Sequence, residues 1–489
     1  MSSSKIRCHP TIILEKTFKA FVSAALLLFF LAAAVDNSAI LSVLAVLLIA
    51  LLLFYYRQWK RTTIQFNETD VVIERDTLFQ KKTTLPYAKM ASVNVNRDIP
   101  NRLFGTSKVL ININSGASAM TPEAVLTFRQ DVAERLRSEV SQRLDDHAIT
   151  PEEEETVESL AVFTPMDVIL HGVLSVSTYQ TLLGSIFLAY PILELSCSLA
   201  SGTPAGGRAM VSLLMFVTVL VVPSISLIFR YYNYKIYRRG DTVYLQHGLI
   251  RTYRTSFTVS RINAIRIKSP LVARLLGKSC IEAEVVGLVS EGGERSRPVI
   301  CLLKDDAIQQ RVLRDLVPEF VYKRRPIKQS EGARCVLMIR AAVVSLAVLV
   351  LSAYGYRAVG VLAGTPGGVL QYTLPPAMAL VVLATLYAAH VAYRITEFDA
   401  GEDLFTFVNG AVDRETTVMN YDRVQMVWIT QGPIARIFGL SRGIVYMLSS
   451  MGGSSVTSGY FPGSRLEGIN EIVMTRIARG GFGHREERA

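Results

Sequence analysis

Charge is scarce in this chain. Asp, Glu, Lys and Arg make up 19% of its 489 residues, against about 25% in soluble proteins. With a hydrophobic share of 50%, that scarcity excludes an ordinary soluble protein and points to a membrane. Cysteine is scarce as well. Cys8, Cys197, Cys280, Cys301 and Cys335 are odd in number, scattered, and free of any CxxC pair. Such a set argues against a disulfide framework and suits a reducing cytosol beside a bilayer. The six histidines, His9, His147, His171, His247, His390 and His484, form no HExxH and no paired cluster. No metal site and no cofactor is therefore expected. Acidic residues are the minority: 41 against 52 basic ones leaves a net charge of +11. In a membrane protein that excess belongs beside the bilayer on the inner side, and it is no argument for nucleic acid.

What the chain has instead is apolar runs. A bilayer core needs roughly 20 apolar helical residues. Six segments answer to that: Phe18 to Val35, Ile40 to Tyr56, a run within Val168 to Ala200, Ala209 to Phe229, Val336 to Tyr354 and Leu374 to Tyr393. Residues 36–39 alone part the first two, which makes a tight antiparallel hairpin. Gly/Pro-rich loops part the other pairs. The first run is too long for a signal-peptide core, and a second span follows at once. Basic residues flank the hairpins: Lys5, Arg7, Lys16 and Lys19, then Arg57, Lys60 and Arg61, then Arg230, Lys235, Arg238 and Arg239, then Lys323, Arg324, Arg325 and Lys328. The hairpin loops hold only Arg208 and Arg357. The positive-inside rule puts both termini and the long polar segments in the cytoplasm.

Those polar segments repeat. Aligned on one glycine, they read "KMASVNVNRDIPNRLFG" to Gly105, "RINAIRIKSPLVARLLG" to Gly277 and "RVQMVWITQGPIARIFG" to Gly439. A basic residue (Lys89, Arg261, Arg423) opens each stretch, alternating apolar positions follow, and Arg-[Leu/Ile]-[Phe/Leu]-Gly closes it. Several positions agreeing at fixed spacing make this an internal repeat. Period-two alternation predicts strands at "SVNVN", "AIRIK" and "MVWIT", with hairpins upstream and two more strands downstream. A helix ends each module; Val132, Leu136 and Val140 give the first one an apolar face. The expected organisation is a hairpin at 1–56, a module at 57–150, a linker and hairpin at 151–229, a module at 230–327, a hairpin at 328–393 and a module at 394–489. The fold class is membrane α-helical hairpins plus α+β. Six transmembrane helices stand in three pairs, each pair followed by a small β-barrel or sandwich with a C-terminal helix.

The hairpin-then-barrel repeat with its Arg-[Leu/Ile]-Phe-Gly corner resembles the bacterial pleckstrin-homology (PH-like) membrane proteins of the YdbS/YdbT type. Three units, each led by two spans, resemble the longer YdbT-like form. The resemblance covers nearly the whole chain, and its motifs speak to fold rather than to activity. Leu276 departs from the pattern, standing where the other copies have Phe104 and Phe438. The resemblance implies curved PH-like barrels, a bacterial cytoplasmic-membrane setting and a partner carrying a single such module. It implies no agreed activity; envelope stress or antimicrobial resistance is the setting it suggests.

Catalytic patterns fail on their context. Gly439-Leu440-Ser441-Arg442-Gly443 matches the G-x-S-x-G of a hydrolase elbow, which needs a strand–turn–helix. The residues that follow, "IVYMLSS", read as a strand, and only this copy has the second glycine. A turn, with glycine at positive φ, is the expected role. Gly277-Lys278-Ser279 mimics the end of a P-loop, but Val272 stands where its first glycine belongs. The run Glu152 to Glu155 reads as a solvated linker. No enzyme is expected.

Binding candidates are therefore basic: Lys89, Arg261 and Arg423 at the repeat, and Arg57, Lys60, Arg61, Arg238, Arg239, Lys323, Arg324 and Arg325 beside the spans. They would meet anionic headgroups of the inner leaflet. For Arg102, Arg274 and Arg436 of the corner motif, an internal ion pair or carbonyl cap is favoured. The expected function is a non-enzymatic inner-membrane scaffold whose modules bind proteins or lipid headgroups. The rival is a transporter or lipid-handling bundle, which requires His171, Gln180, Glu194 and His390 to converge on a cavity.

Overall fold

The computed structural model describes residues 6–31, 37–67, 69–76, 80–87, 90–113, 124–144, 163–201, 207–286, 288, 297–363, 370–449 and 452–479. Lys89, His147, His484, the acidic run 152–155 and the tail from 480 lie outside the described residues.

Each module is two three-stranded sheets and a closing helix. Module one has β1 (Thr62–Phe66), β2 (Asp70–Asp76) and β3 (Gln80–Pro86), then β4 (Met90–Arg97), β5 (Thr106–Ile113) and β6 (Ala124–Arg129). Module two repeats this with β7 (Lys235–Arg239), β8 (Thr242–His247), β9 (Thr252–Thr258), β10 (Ile262–Ser269), β11 (Lys278–Val285) and β12 (Val299–Asp305). Module three adds the short β13 (Ile327–Lys328) before β14 (Glu397–Ala400), β15 (Leu404–Asn409), β16 (Arg414–Asn420), β17 (Val424–Thr430), β18 (Leu440–Ser449) and β19 (Gly452–Pro462). The closing helices are Gln130–Leu144, Asp306–Leu316 and Gly463–Ala478. The period-two segments do form strands, because alternate side chains reach a core while their neighbours face away. Val93 and Val95 enter one core, Ile265 a second, and Val427 and Ile429 pack on a third.

The sequence implied three separate small barrels. The sheets instead run across the module boundaries. The second sheet of module one and the first of module two form one six-stranded sheet, β6-β5-β4-β9-β8-β7. The second sheet of module two continues into module three as β12-β11-β10-β16-β15-β14-β13. The two joints share one register. Val95 faces Arg254 across the first, and Ile267 faces Thr416 across the second. Val95 and Ile267 each lie ten residues before their corner glycine; Arg254 and Thr416 each lie twenty-three before theirs. A shared strand serves two cores. On β10, Ile265 beside Val418 lines the core of module two, and Ala264 beside Met419 lines that of module three.

The six apolar segments are helical, but their bounds differ from the expected ones. Among the described residues, three helices are long and apolar enough to cross a bilayer: Ala209–Tyr231, Glu331–Arg357 and Met378–Ile395. A fourth span results if the pair Pro165–Leu174 and Thr178–Ser196, bent by 78°, is counted as one. The third segment is therefore not one straight span. Its first helix starts at a capping box, Thr164 with Asp167. Asp167 then accepts from Lys304 of β12 at 2.6 Å, which ties that helix to module two. The first pair is present as Thr11–Leu31 and Asn37–Lys60, and the side chains of residues 22–43 lie outside the described ones.

Candidate functional site at the module corners

Between the first two strands of the second sheet of each module the chain makes one helical turn: Ile99–Leu103, Leu271–Leu275 and Pro433–Ile437. Glycine ends each turn at positive φ: 64° at Gly105, 66° at Gly277 and 63° at Gly439. The glycine N–H donates back to the carbonyl of Arg102, Arg274 or Arg436, which satisfies the end of the turn. Ser107, Ser279 and Ser441 follow, all buried. Ser279 donates to Gln309 Oε1 of the closing helix at 2.6 Å. Ser441 sits at the start of β18, so no strand–turn–helix elbow exists around it.

The corners present apolar side chains outward. Leu103, Leu275 and Ile437 are 80%, 78% and 79% exposed. The next residue in each, Phe104, Leu276 or Phe438, is exposed too. Three equal exposures at one repeat position are a feature of the module and not an accident of one loop. Each module lies against one of the apolar helices here. Phe438 Cβ would be 3.2 Å from a Cβ on Gly332, at the start of Glu331–Ala363. Leu271 N–H reaches Thr178 Oγ1 at 3.1 Å, where Thr178–Ser201 begins. In module one, buried Lys108 of β5 pairs with Glu15 of the helix Thr11–Leu31 and with Asp98 Oδ2 at 3.0 Å.

The repeat-borne basic residues clamp module to module. Arg261 donates to Met90 O of module one at 3.0 Å, and Arg423 donates to Ser260 O of module two. Arg102 also reaches across, to Thr252 Oγ1 at 2.5 Å. That is neither an internal ion pair nor a carbonyl cap. Arg251 pairs with Asp98 at 2.5 Å at the same joint. At the second joint Arg266 holds Glu284 at 2.7 Å, Glu415 of module three at 2.6 Å and Ser454 Oγ at 2.8 Å. Burial alone would raise the Glu415 carboxyl, but the Arg266 guanidinium beside it outweighs that and holds it below its usual range. Removing one member of the buried Arg266–Glu284 pair costs about 3–5 kcal/mol. Lys108, Arg251 and Arg266 were missed from the sequence, since nothing local marks a lysine whose partner is on a distant helix or an arginine whose partner is a module away.

The remaining candidates divide. Arg57, Lys60, Arg61, Lys323 and Arg325 are exposed near helix ends. Arg239 is exposed as well. Arg238 is spent within module two, on Leu316 O at 2.7 Å and Glu319 at 2.9 Å. Arg324 is half-buried near Glu397, at 3.9 Å. Of the bundle residues, His171 packs edge-on to Tyr231 at 4.9 Å and Gln180 bonds to Ser177. A shallow cleft beside Arg230, Tyr231, His247 and Tyr253 in module two includes none of His171, Gln180, Glu194 and His390.

Residues 25–144, 180–315 and 337–471 match the Bacterial PH domain family. The chain belongs to this family. Each match begins inside an apolar helix and ends in a closing helix, so what repeats is hairpin plus module. Over 403 residues the chain is 20% identical to the UPF0699 transmembrane protein YdbT of Bacillus subtilis (strain 168), covering 76% of this chain and 77% of that one. No solved structure matches. Among the described residues, no group of His, Cys, Asp and Glu is arranged to hold a metal ion.

Proposed function

We propose that the protein is a non-enzymatic scaffold of a bacterial inner membrane, with three PH-like modules held flat against the cytoplasmic face. Both termini are cytoplasmic in this reading, by the positive-inside rule. The observation that carries it is the set of three outward apolar corners, each beside the start of a membrane helix or the residues tied to one. Leucine, isoleucine and phenylalanine at a tip beside arginine suit the boundary between headgroups and acyl chains. The exposed cations Arg57, Lys60, Arg61, Lys323 and Arg325 add about 1 kcal/mol each near an anionic leaflet. The modules then offer headgroup or protein contacts from a fixed height.

Single cysteines at Leu103, Leu275 and Ile437, labelled with a fluorophore in nanodiscs, test this. We expect quenching by lipid-borne quenchers at all three and little by aqueous iodide. Full iodide access at all three would contradict the reading.

A further inference from the structure

Each joint between modules uses two edges. One is the last strand of a first sheet (β9, β16); the other is the first strand of the preceding module's second sheet (β4, β10). Three modules in a row make two joints and leave one edge of each kind over. These are β3 in module one and β17 in module three. Among the described residues, no strand pairs with the outer edge of either.

The surplus edge of module three carries the wrong chemistry for solvent. On β4 and β10 the face turned to the next module bears Asn94, Asn96 and Arg266, all buried there. The same face of β17 bears Met426 and Trp428, which are 41% and 50% exposed. Tyr446 of β18 stands against Trp428 at 5.2 Å and widens the patch. Where it is covered, this face thus carries Asn94, Asn96 and Arg266 beside the small Ala264; where it is open, the large apolar Met426 and Trp428 stand exposed beside Thr430. An exposed apolar edge strand is an invitation to pairing. The surplus edge of module one is guarded by Lys81 and Lys82. Lysines on an edge oppose indiscriminate pairing and leave room for a partner of matching charge.

We propose that β17 of one copy pairs with β3 of a second copy, head to tail, in the register of the two internal joints. Ile429 lies ten residues before Gly439, and Lys82 lies twenty-three before Gly105. The shared register therefore sets Ile429 opposite Lys82, Thr430 opposite Lys81 and Met426 beside Leu85. Leu85 is a core residue of module one, so Met426 extends that core as Ala264 extends the core of module three. Charge agrees as well. Lys82 occupies the place of Arg254, which pairs at 3.2 Å with Glu134, the fifth residue of the closing helix of module one. The fifth residue of the closing helix in module three is Glu467, which is exposed. Lys82 now holds an exposed pair to Glu74 at 3.4 Å. The contact is heterologous, so it builds a ring or an open row in the membrane plane.

The inference deepens the scaffold reading by naming its partner, and it fails separately: corner labels report on the bilayer, edge cysteines on the joint. The test uses the full chain in native membranes, co-expressed as two differently tagged copies, with Cys197 and the exposed Cys335 replaced by serine. One copy carries Thr430→Cys and the other Lys81→Cys. We expect an oxidised cross-link that joins both tags and needs both cysteines. A link between two Thr430→Cys copies would mean a face-to-face dimer and would overturn the proposal. So would an uncross-linked monomer. So would quenching of Trp428 by brominated acyl chains in a Trp59→Phe background, which would put this face on the lipid. Lys82→Glu on both copies should abolish co-purification of the two tags, and Glu467→Lys added to both should restore it, which separates a lost contact from a lost fold.

Discussion

His247 sits where a second proton does not fit. It is half-buried among Tyr231, Tyr234 and Tyr253, at ring distances of 5.2, 5.8 and 5.0 Å. Its Nδ1–H donates to Arg230 O at 2.7 Å. Burial is the main cause that lowers its pKa to about 4; the hydrogen bond to Arg230 O opposes it and the Arg230 charge adds to it. The folded pKa lies below the unfolded value of about 6.5. Above that value both states are neutral, and the full stability is present. As pH falls from there towards 4, the unfolded chain takes up a proton that the folded one refuses, and stability drops. The loss amounts to about 3 kcal/mol at the acid end. Thermal unfolding in detergent should show a fall between pH 6.5 and 4.5 that His247→Asn shallows; equal slopes would show that the site does not titrate this way. This residue carried no signal in the sequence beyond its type. Arg261 and Arg423 did carry one, through the repeat. Their role stayed hidden because their partners lie 171 and 163 residues upstream.

Strands, closing helices and corners were legible because each has a local cause. Period-two alternation marks a half-buried strand, and a glycine at a fixed place marks a turn that needs positive φ. The glycines differ in what surrounds them. At Gly105, Gly277 and Gly439 a Cβ would meet nothing within 4 Å. At Gly248 and Gly410, in the β8–β9 and β15–β16 turns, it would fall 1.9 and 1.8 Å from the carbonyl oxygens of Arg251 and Asp413. Both of those turns also lie at φ above 110°. Gly439→Ala should therefore cost about 1–2 kcal/mol, the ordinary penalty for a left-handed residue. Gly410→Ala must open the turn that carries Asp413, which bonds to Thr178 N–H at 3.1 Å and to Leu271 N–H at 3.2 Å. It should lower the melting temperature far more than Gly439→Ala, as read by circular dichroism in detergent. Equal shifts would mean that the turn is not a joint. What the sequence could not mark was the bend between Pro165–Leu174 and Thr178–Ser201, because both helices are apolar and read as one run.

At the scale of the whole molecule, three repeats in sequence became one continuous structure. The count of modules was legible from the corner motif alone. Their fusion was not, because an edge strand that will meet another module has the same alternation as one that meets water. Its two faces differ only in which core each one lines, as Ala264 and Ile265 do. The fusion explains why clamps such as Arg266–Glu415 lie between modules. Hydrogen exchange of the full chain in nanodiscs tests this most directly. Fused sheets make β9 and β16 interior strands, so their amides should exchange as slowly as those of β8 and β15. Exchange at β9 and β16 as fast as at the sheet-edge strand β12 would show three separate modules, and would contradict the account.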